Sequence, residues 1–169
     1  MIRRTLQDVI ENDMFQGKAI IVIGARQVGK STLFKMLLEH RDEPVLRMNC
    51  DEPEVRTLLT DAGTSDLKLL IGKNKIVMID EAQSVPGIGM TLKRIVDNFP
   101  DIQLLVAGSS SFELRNKLNE PLTGRKFEYQ LFPISSAEIC ASEGLLTVRQ
   151  TLEQRLIYGS YPEVFSRPE

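Results

Sequence analysis

Apolar residues in this chain follow two patterns that alternate from the N-terminus to about residue 132. Short runs, most of them continuously apolar, are typical of strands buried on both faces of a sheet. Longer stretches with apolar residues at every third or fourth position are typical of helices that bury one side. The runs predict strands over residues 18–24, 45–49, 75–80, 102–107 and 127–132. The periodic stretches predict helices over residues 5–14, 30–40, 53–71 with a break at Gly63, 88–98 and 111–118.

This alternation predicts an α/β fold in three layers, with a parallel five-stranded sheet covered by helices on both faces. Because Pro133 ends the last predicted strand, we interpret residues 1–134 as the core. The segment 135–169 is predicted to be helical over 135–143 and 149–158, with a turn at 159–162. We interpret it as the start of a lid or of a further C-terminal region. The chain is therefore expected to be a piece of a longer protein.

Composition excludes only a few classes of function. The 169 residues are 42% hydrophobic and 26% charged, which is ordinary for a globular domain. A net charge of −2 gives no general attraction to nucleic acid or to an anionic membrane. The sequence has neither a run of roughly 20 apolar residues nor a signal peptide, so we expect a cytoplasmic protein with no membrane partner. Cys50 and Cys140 lack metal-site spacing and are expected to be reduced and buried.

The loop between the first strand and the second helix carries the clearest chemistry. Gly24 to Ser31 fits the phosphate-binding pattern G-x-x-x-x-G-K-[ST] at every fixed position. Its N–H groups and the helix N-terminus would face an anion, Lys30 would reach the terminal phosphates, and Ser31 would bind Mg²⁺. The alternative is a glycine-containing surface turn, which the flanking strand and helix disfavour. The predicted nucleotide-binding residues are Gly24, Ala25, Arg26, Gln27, Val28, Gly29, Lys30, Ser31 and Thr32.

Two adjacent acids, Asp80 and Glu81, end the third predicted strand. In a parallel sheet the ligand lies beyond the carboxyl ends of the strands, so both acids are expected to reach the phosphate loop. Asp80 would hold Mg²⁺, directly or through water. Glu81 would orient and deprotonate an attacking water molecule. The alternative for the two acids is a solvated strand end or a helix cap. For Gln83, a structural role and a water-positioning role are both left open.

Two further candidates follow the acids. Ser109 lies just after the fourth predicted strand, where its hydroxyl is expected to face the γ-phosphate or the water. The alternative is that a serine there caps the next helix. Arg125 precedes the fifth strand and would face away from its own phosphate loop. Spacing alone slightly favours a surface ion pair for Arg125 over contact with a neighbouring subunit's γ-phosphate.

The chain resembles an AAA-type P-loop ATPase, and more closely a group of uncharacterised prokaryotic AAA ATPases that usually carry a C-terminal domain of unknown function. The resemblance rests on motifs in the same order, from about residue 18 to the end. They are G-x-R-Q-x-G-K-[ST] from Gly24 to Ser31, D-E-x-Q from Asp80 to Gln83, G-S-S from Gly108 to Ser110, Gly124-Arg125, Pro133-Ile134-Ser135, and a variant of a G-G-x-P-E turn from Gly159 to Glu163.

The resemblance implies ATP and Mg²⁺ as cofactors, with adenine as the base. It also implies a sensor role for Ser109 and an arginine-finger role for Arg125, which would act on a neighbouring copy of the chain. Together with Lys30 and Glu81 these are the predicted catalytic residues, and Ser31 and Asp80 are the predicted metal ligands. The segment from Ile2 to Val9 is a first guess for the part that contacts the base.

The predicted function is therefore Mg²⁺-dependent ATP hydrolysis that drives a conformational change. The alternative is a nucleotide-binding switch or scaffold with negligible hydrolysis, which would serve protein or DNA partners through a region outside this chain. A small-molecule kinase is disfavoured, because the water-activating acid Glu81 would serve no purpose there. A GTPase is disfavoured because Asn74-Lys75 is not followed by the pattern that contacts guanine.

Overall fold

The five predicted strands form one parallel sheet in the order β2-β3-β4-β1-β5. A computed structural model describes residues 2–109, 118 and 120–166. The strands are β1 (Ala19–Gly24), β2 (Val45–Asn49), β3 (Ile76–Asp80), β4 (Gln103–Ser109) and β5 (Lys126–Leu131). This order puts the phosphate-loop strand β1 near the middle of the sheet, with only β4 between it and the acid-bearing strand β3.

Helices cover both faces of the sheet, which confirms the predicted α/β class. The helices of the described residues are α1 (Thr5–Asp13), α2 (Lys30–Leu38), α3 (Pro53–Leu59), α4 (Thr64–Ile71), α5 (Ile88–Asn98), α6 (Ser136–Gln150), α7 (Leu152–Tyr158) and α8 (Pro162–Ser166). Successive strand residues point to opposite faces, so each strand supplies two separate apolar layers. In β1, Ile20 and Val22 pack with α1 and α2, whereas Ile21 and Ile23 pack with α3, α4 and α5.

The structure differs from the predicted elements mainly toward the C-terminus. Strand β4 continues to Ser109, two residues beyond its predicted end. Helix α6 runs on to Gln150, with a non-helical break at Gly144, where φ is 89°. Residues 145–148 are therefore helical although no helix was predicted there, and α8 was not predicted at all. Most of the predicted helix over 111–118 lies outside the described residues.

The two cysteines differ in burial. Cys50 is buried as predicted, but the prediction was wrong for Cys140, which is exposed on α6. In the described part of the chain, no helix combines the length and the apolar character that crossing a bilayer requires.

Candidate functional site

The phosphate loop lies at the carboxyl edge of the sheet, between β1 and α2. Gly24 is the last residue of β1, and a Cβ there would lie only 2.6 Å from the Leu131 carbonyl oxygen, so the backbones approach too closely for a side chain. Gln27 and Gly29 have φ values of 62° and 98°, which turn the loop sharply before Lys30 begins the helix. Left-handed backbone at two positions curls the chain, as a phosphate cradle requires.

Lys30 is buried although it carries an ammonium group. Its Nζ donates hydrogen bonds to the carbonyl oxygens of Gly24 and Ala25, each at 3.0 Å. Burial lowers the pKa of Lys30, and the nearby Glu81 and Asp80 carboxylates counteract this only in part. The ammonium therefore lies against the backbone of the loop.

Ser31 and Asp80 join the two halves of the predicted site. The Ser31 hydroxyl donates a hydrogen bond to Asp80 Oδ2, although strand β4 separates the strands that precede these residues. Asp80 Oδ1 accepts a hydrogen bond from the Glu81 backbone N–H at 2.9 Å. A hydroxyl and a carboxylate in contact provide the hard oxygen ligands that Mg²⁺ prefers when it is shared with a phosphate.

Gln83 links the second acid to the end of β4. Its Nε2 donates to Glu81 Oε2, and its Oε1 accepts from the Ser109 backbone N–H at 3.0 Å. Glu81 itself has a φ of 51°, an uncommon conformation for a residue with a side chain. The structure thus brings Glu81 and Ser109 to the same edge, with Gln83 between them. Ser110 and Ser111, the other serines of this run, lie outside the described residues.

Arg125 immediately precedes β5, at the amino ends of the parallel strands, whereas the phosphate loop lies at their carboxyl ends. Its carbonyl oxygen accepts a hydrogen bond from Ala19 N–H at the start of β1, far from the loop that follows the end of β1. Its guanidinium forms a partly exposed ion pair with Asp97, at 2.5 Å between Nε and Oδ1. The structure therefore separates Arg125 from its own phosphate loop and leaves it near the surface.

Comparison with known proteins agrees with this geometry. A family model described as an AAA domain matches residues 16–140, which is most of the chain and includes the phosphate loop and both acids. The chain belongs to this AAA domain family. A search of curated protein sequences finds no significant match.

Solved structures share the fold of this AAA domain at low sequence identity. The Walker-type ATPase PABY2304 of Pyrococcus abyssi has a TM-score of 0.63 and 16% identity, with 96% of this chain and 65% of that chain covered. The Pif1 helicase from Candida albicans has a TM-score of 0.54 and 14% identity, with 82% and 41% covered. A structure titled for DNA unwinding by two coordinating Pif1 helicases has a TM-score of 0.52 and 14% identity, with 80% and 45% covered. The chain spans less than two thirds of each of these structures.

A cavity of about 500 Å³ in the AAA domain adjoins the phosphate loop at Gly29 and Thr32. Its volume is in the usual range for small-molecule pockets. Of the segment from Ile2 to Val9, which was guessed to contact the base, only Ile2 and Arg4 line the cavity. Sequence reasoning did not find its main apolar lining, which comes from distant parts of the chain: Leu33, Met36, Ile134, Pro162 and Phe165.

Arg4 and Glu138 form a buried ion pair beside this cavity that sequence reasoning also missed. Burial alone would raise the pKa of Glu138. Hydrogen bonds from the Ser135 and Thr5 N–H groups, the Thr5 hydroxyl and Arg4 outweigh burial and lower the pKa to about 2. The sequence does carry a signal for Glu138. Ser135 and Glu138 have the spacing of a helix capping box, and the structure confirms that they form one.

The low pKa of Glu138 predicts a specific acid sensitivity. A carboxyl whose pKa is lower in the folded than in the unfolded state stabilises the fold at neutral pH, and this stabilisation is lost as pH falls from about 4.5 to 2. We expect Glu138→Gln to cost about 3 kcal/mol of unfolding free energy at pH 7 and far less near pH 2. Urea unfolding at a series of pH values between 7 and 2 measures the unfolding free energy of each variant. The control is Glu153→Gln, on the exposed side of α7. Parallel stability profiles for the parent and Glu138→Gln would contradict the assignment.

Proposed function

We propose that this AAA domain binds ATP together with Mg²⁺, hydrolyses it, and couples the nucleotide state to a conformational change. The observation that carries the proposal is the hydrogen bond between Ser31 and Asp80. It joins the phosphate loop to the acid-bearing strand, so a triphosphate held by the loop would lie beside both carboxylates. A buried lysine in a tightly curled loop supports the same conclusion.

Each residue near the loop has a proposed role in binding. The loop N–H groups and Lys30 would hold the phosphates, and Ser31 with Asp80 would hold Mg²⁺. Among the described residues, no cluster of three His, Cys, Asp or Glu side chains could hold a metal ion by itself. A site with one hydroxyl and one carboxylate fits a metal ion whose remaining ligands are phosphate oxygens and water. Bound there, Mg²⁺ would neutralise the charge that develops on the phosphates.

For hydrolysis, Glu81 is the proposed general base. Its carboxylate would accept a proton from water as the water oxygen attacks the γ-phosphorus and the bond to ADP breaks, releasing phosphate. The Ser109 hydroxyl would contact the γ-phosphate. Gln83 already holds the Glu81 carboxylate and the Ser109 N–H, so it would keep the base and this sensor at a fixed separation.

We propose that the cavity beside Gly29 and Thr32 receives the adenine base. It adjoins the phosphate loop, is lined mainly by apolar side chains, and is large enough for a base and ribose. Its lining includes Pro162 and Phe165, so residues 135–166 would act as a lid on the nucleotide that the core, residues 1–134, holds. Closure of this lid is the proposed conformational change.

A second candidate function is a nucleotide-dependent switch with negligible hydrolysis. The observation that favours it is the hydrogen bond from Gln83 Nε2 to Glu81 Oε2, because it occupies one of the two carboxylate oxygens that would contact the attacking water. Such a switch would act on protein or DNA partners through a region outside this chain. Nucleotide that copurifies with the protein, without phosphate release at high protein concentration, would distinguish it from an ATPase.

The Lys30→Ala variant tests nucleotide binding. We expect its affinity for ATP with Mg²⁺ to fall by about 100-fold or more, since a desolvated ammonium–phosphate contact is lost. Fluorescence anisotropy with a labelled ATP analogue measures the affinity, and a phosphate-release assay measures turnover. The matched control is Lys35→Ala, which removes an exposed lysine from the same helix. Equal ATP affinity in the Lys30→Ala and Lys35→Ala variants would refute the proposed binding site.

A further inference from the structure

Arg4 joins three segments of the chain that are far apart in sequence. Its Nη1 donates to the carbonyl oxygen of Val28 in the phosphate loop at 3.2 Å, and its Nη2 donates to the Phe132 carbonyl oxygen just beyond β5. Its Nε donates to Glu138 Oε1 in the first turn of α6 at 3.1 Å. The side chains of both Arg4 and Glu138 are more than nine-tenths buried. The planar guanidinium thus uses all three of its nitrogens to hold the loop, the end of the sheet and the C-terminal segment together.

Glu138 is held just as firmly from its own side. Its Oε1 also accepts hydrogen bonds from the Thr5 N–H and hydroxyl, each at 2.9 Å, and its Oε2 accepts one from the Ser135 N–H at 2.8 Å. The position of the Arg4 guanidinium therefore depends on α6 being docked against the N-terminal segment. If α6 moved away, Arg4 would lose its anionic partner while still buried against Val28.

From this geometry we propose that Arg4 is a positioning residue for the phosphate loop, and that through Glu138 it couples nucleotide binding to the docking of α6. The inference rests on the proposed nucleotide binding at this loop. By holding the Val28 carbonyl oxygen in a hydrogen bond, Arg4 would keep that peptide group from turning its oxygen toward a bound phosphate, where it would repel the anion. Only a guanidinium, whose N–H groups point in several directions, can hold the Val28 carbonyl while it also holds Phe132 and Glu138.

The next residue of the loop, Gly29, also lies close to Arg4 and to the C-terminal turn. A Cβ added to Gly29, the residue after Val28, would lie 3.8 Å from Arg4 Nη1 and 3.5 Å from Pro162 Cγ in the C-terminal turn. That turn is fixed to the core by a hydrogen bond from the Ile134 N–H to the Ser160 carbonyl oxygen at 2.8 Å. The loop therefore lies against both Arg4 and the C-terminal segment. Coupling between two equilibria is reciprocal, so nucleotide in the loop should stabilise docked α6 by the factor by which docked α6 raises nucleotide affinity.

The experiment measures ADP·Mg²⁺ affinity by calorimetry, and amide hydrogen exchange in α6 with and without ADP·Mg²⁺. We expect Arg4→Lys to weaken ADP affinity about tenfold, within the usual range for coupled sites. Arg3→Lys, which changes the neighbouring exposed arginine, should leave affinity within about twofold of the parent. In the parent, ADP should slow exchange around Ile139, and in Arg4→Lys at saturating ADP it should slow exchange in the phosphate loop only.

A merely structural role predicts a different result, with lower stability of Arg4→Lys but parent affinity and parent protection of α6 by ADP. That result would overturn the inference. Glu138→Gln tests the same link from α6 and should also weaken ADP binding, so it decides the matter if Arg4→Lys does not fold. A parent protein that binds no nucleotide would overturn the proposed function and this inference with it. A parent that binds ADP while both variants match its affinity would overturn this inference alone.

Discussion

Replacing Glu81 by glutamine is expected to lower the kcat for ATP hydrolysis by about 10²–10⁴-fold while leaving ATP affinity within a few-fold of the parent. The amide keeps the size of the side chain but cannot accept a proton from water. It can still accept a hydrogen bond from Gln83 through its carbonyl oxygen, so the link to Ser109 should survive. Single-turnover phosphate release measures the chemical step, and calorimetry measures ATP affinity.

The control for this experiment is Glu54→Gln, which neutralises an exposed acid at the start of α3. It should hydrolyse ATP at the parent rate. If Glu81→Gln hydrolyses ATP as fast as Glu54→Gln, then Glu81 is not the base. If the parent itself releases no phosphate although it binds ATP, the switch is the better account.

Replacing Arg125 by alanine is expected to reduce kcat by about 10³–10⁵-fold, if the guanidinium reaches the γ-phosphate held by a neighbouring copy. Arg125 precedes β5 at the amino ends of the strands, away from its own phosphate loop, so any catalytic contribution would have to come from a neighbouring copy. Activity per chain of the parent should therefore rise with protein concentration, and that of Arg125→Ala should stay low. Steady-state phosphate release over a hundredfold range of protein concentration measures both.

The ion pair with Asp97 supplies the matched control for Arg125. Asp97→Ala removes the same pair but keeps the guanidinium, so it should retain most of the activity. Mixing Arg125→Ala with Glu81→Gln gives a further test, because one chain supplies the base and the other the arginine. We expect the mixture to recover activity that neither variant has alone. Equal losses in Arg125→Ala and Asp97→Ala, with no recovery on mixing, would show a structural ion pair.

The sequence was sufficient to predict the sheet and the phosphate loop because both depend on local patterns. Apolar runs such as 18–24 identify strands that are buried on both faces, and the fixed positions from Gly24 to Ser31 prescribe one backbone path. The proximity of Asp80 to Ser31 could also be expected, since parallel strands bring their carboxyl ends to one edge. The order of the strands was not predicted, because the apolar runs of a parallel sheet do not identify their neighbours.

The ion pair between Arg4 and Glu138 was out of reach for a different reason. The two residues are 134 positions apart, and nothing in the N-terminal sequence distinguishes Arg4 from Arg3, which pairs with Asp8 on the surface. Burial decides between them, and burial depends on the packing of α6 against the core. The helical stretch over 145–148 was missed because Gly144 interrupts the local pattern while the chain resumes a helix directly afterwards.

We propose that the loop around Lys30 and the acids at the end of β3 form one site for ATP and Mg²⁺. Calorimetric titration of the folded protein with ATP, in the presence of Mg²⁺ and again with EDTA, tests this most directly. We expect saturable binding of one ATP per chain that Mg²⁺ tightens, and we expect the Asp80→Asn variant to lose most of the tightening. The absence of any binding heat with ATP and Mg²⁺, or an affinity that is the same with Mg²⁺ and with EDTA, would contradict it.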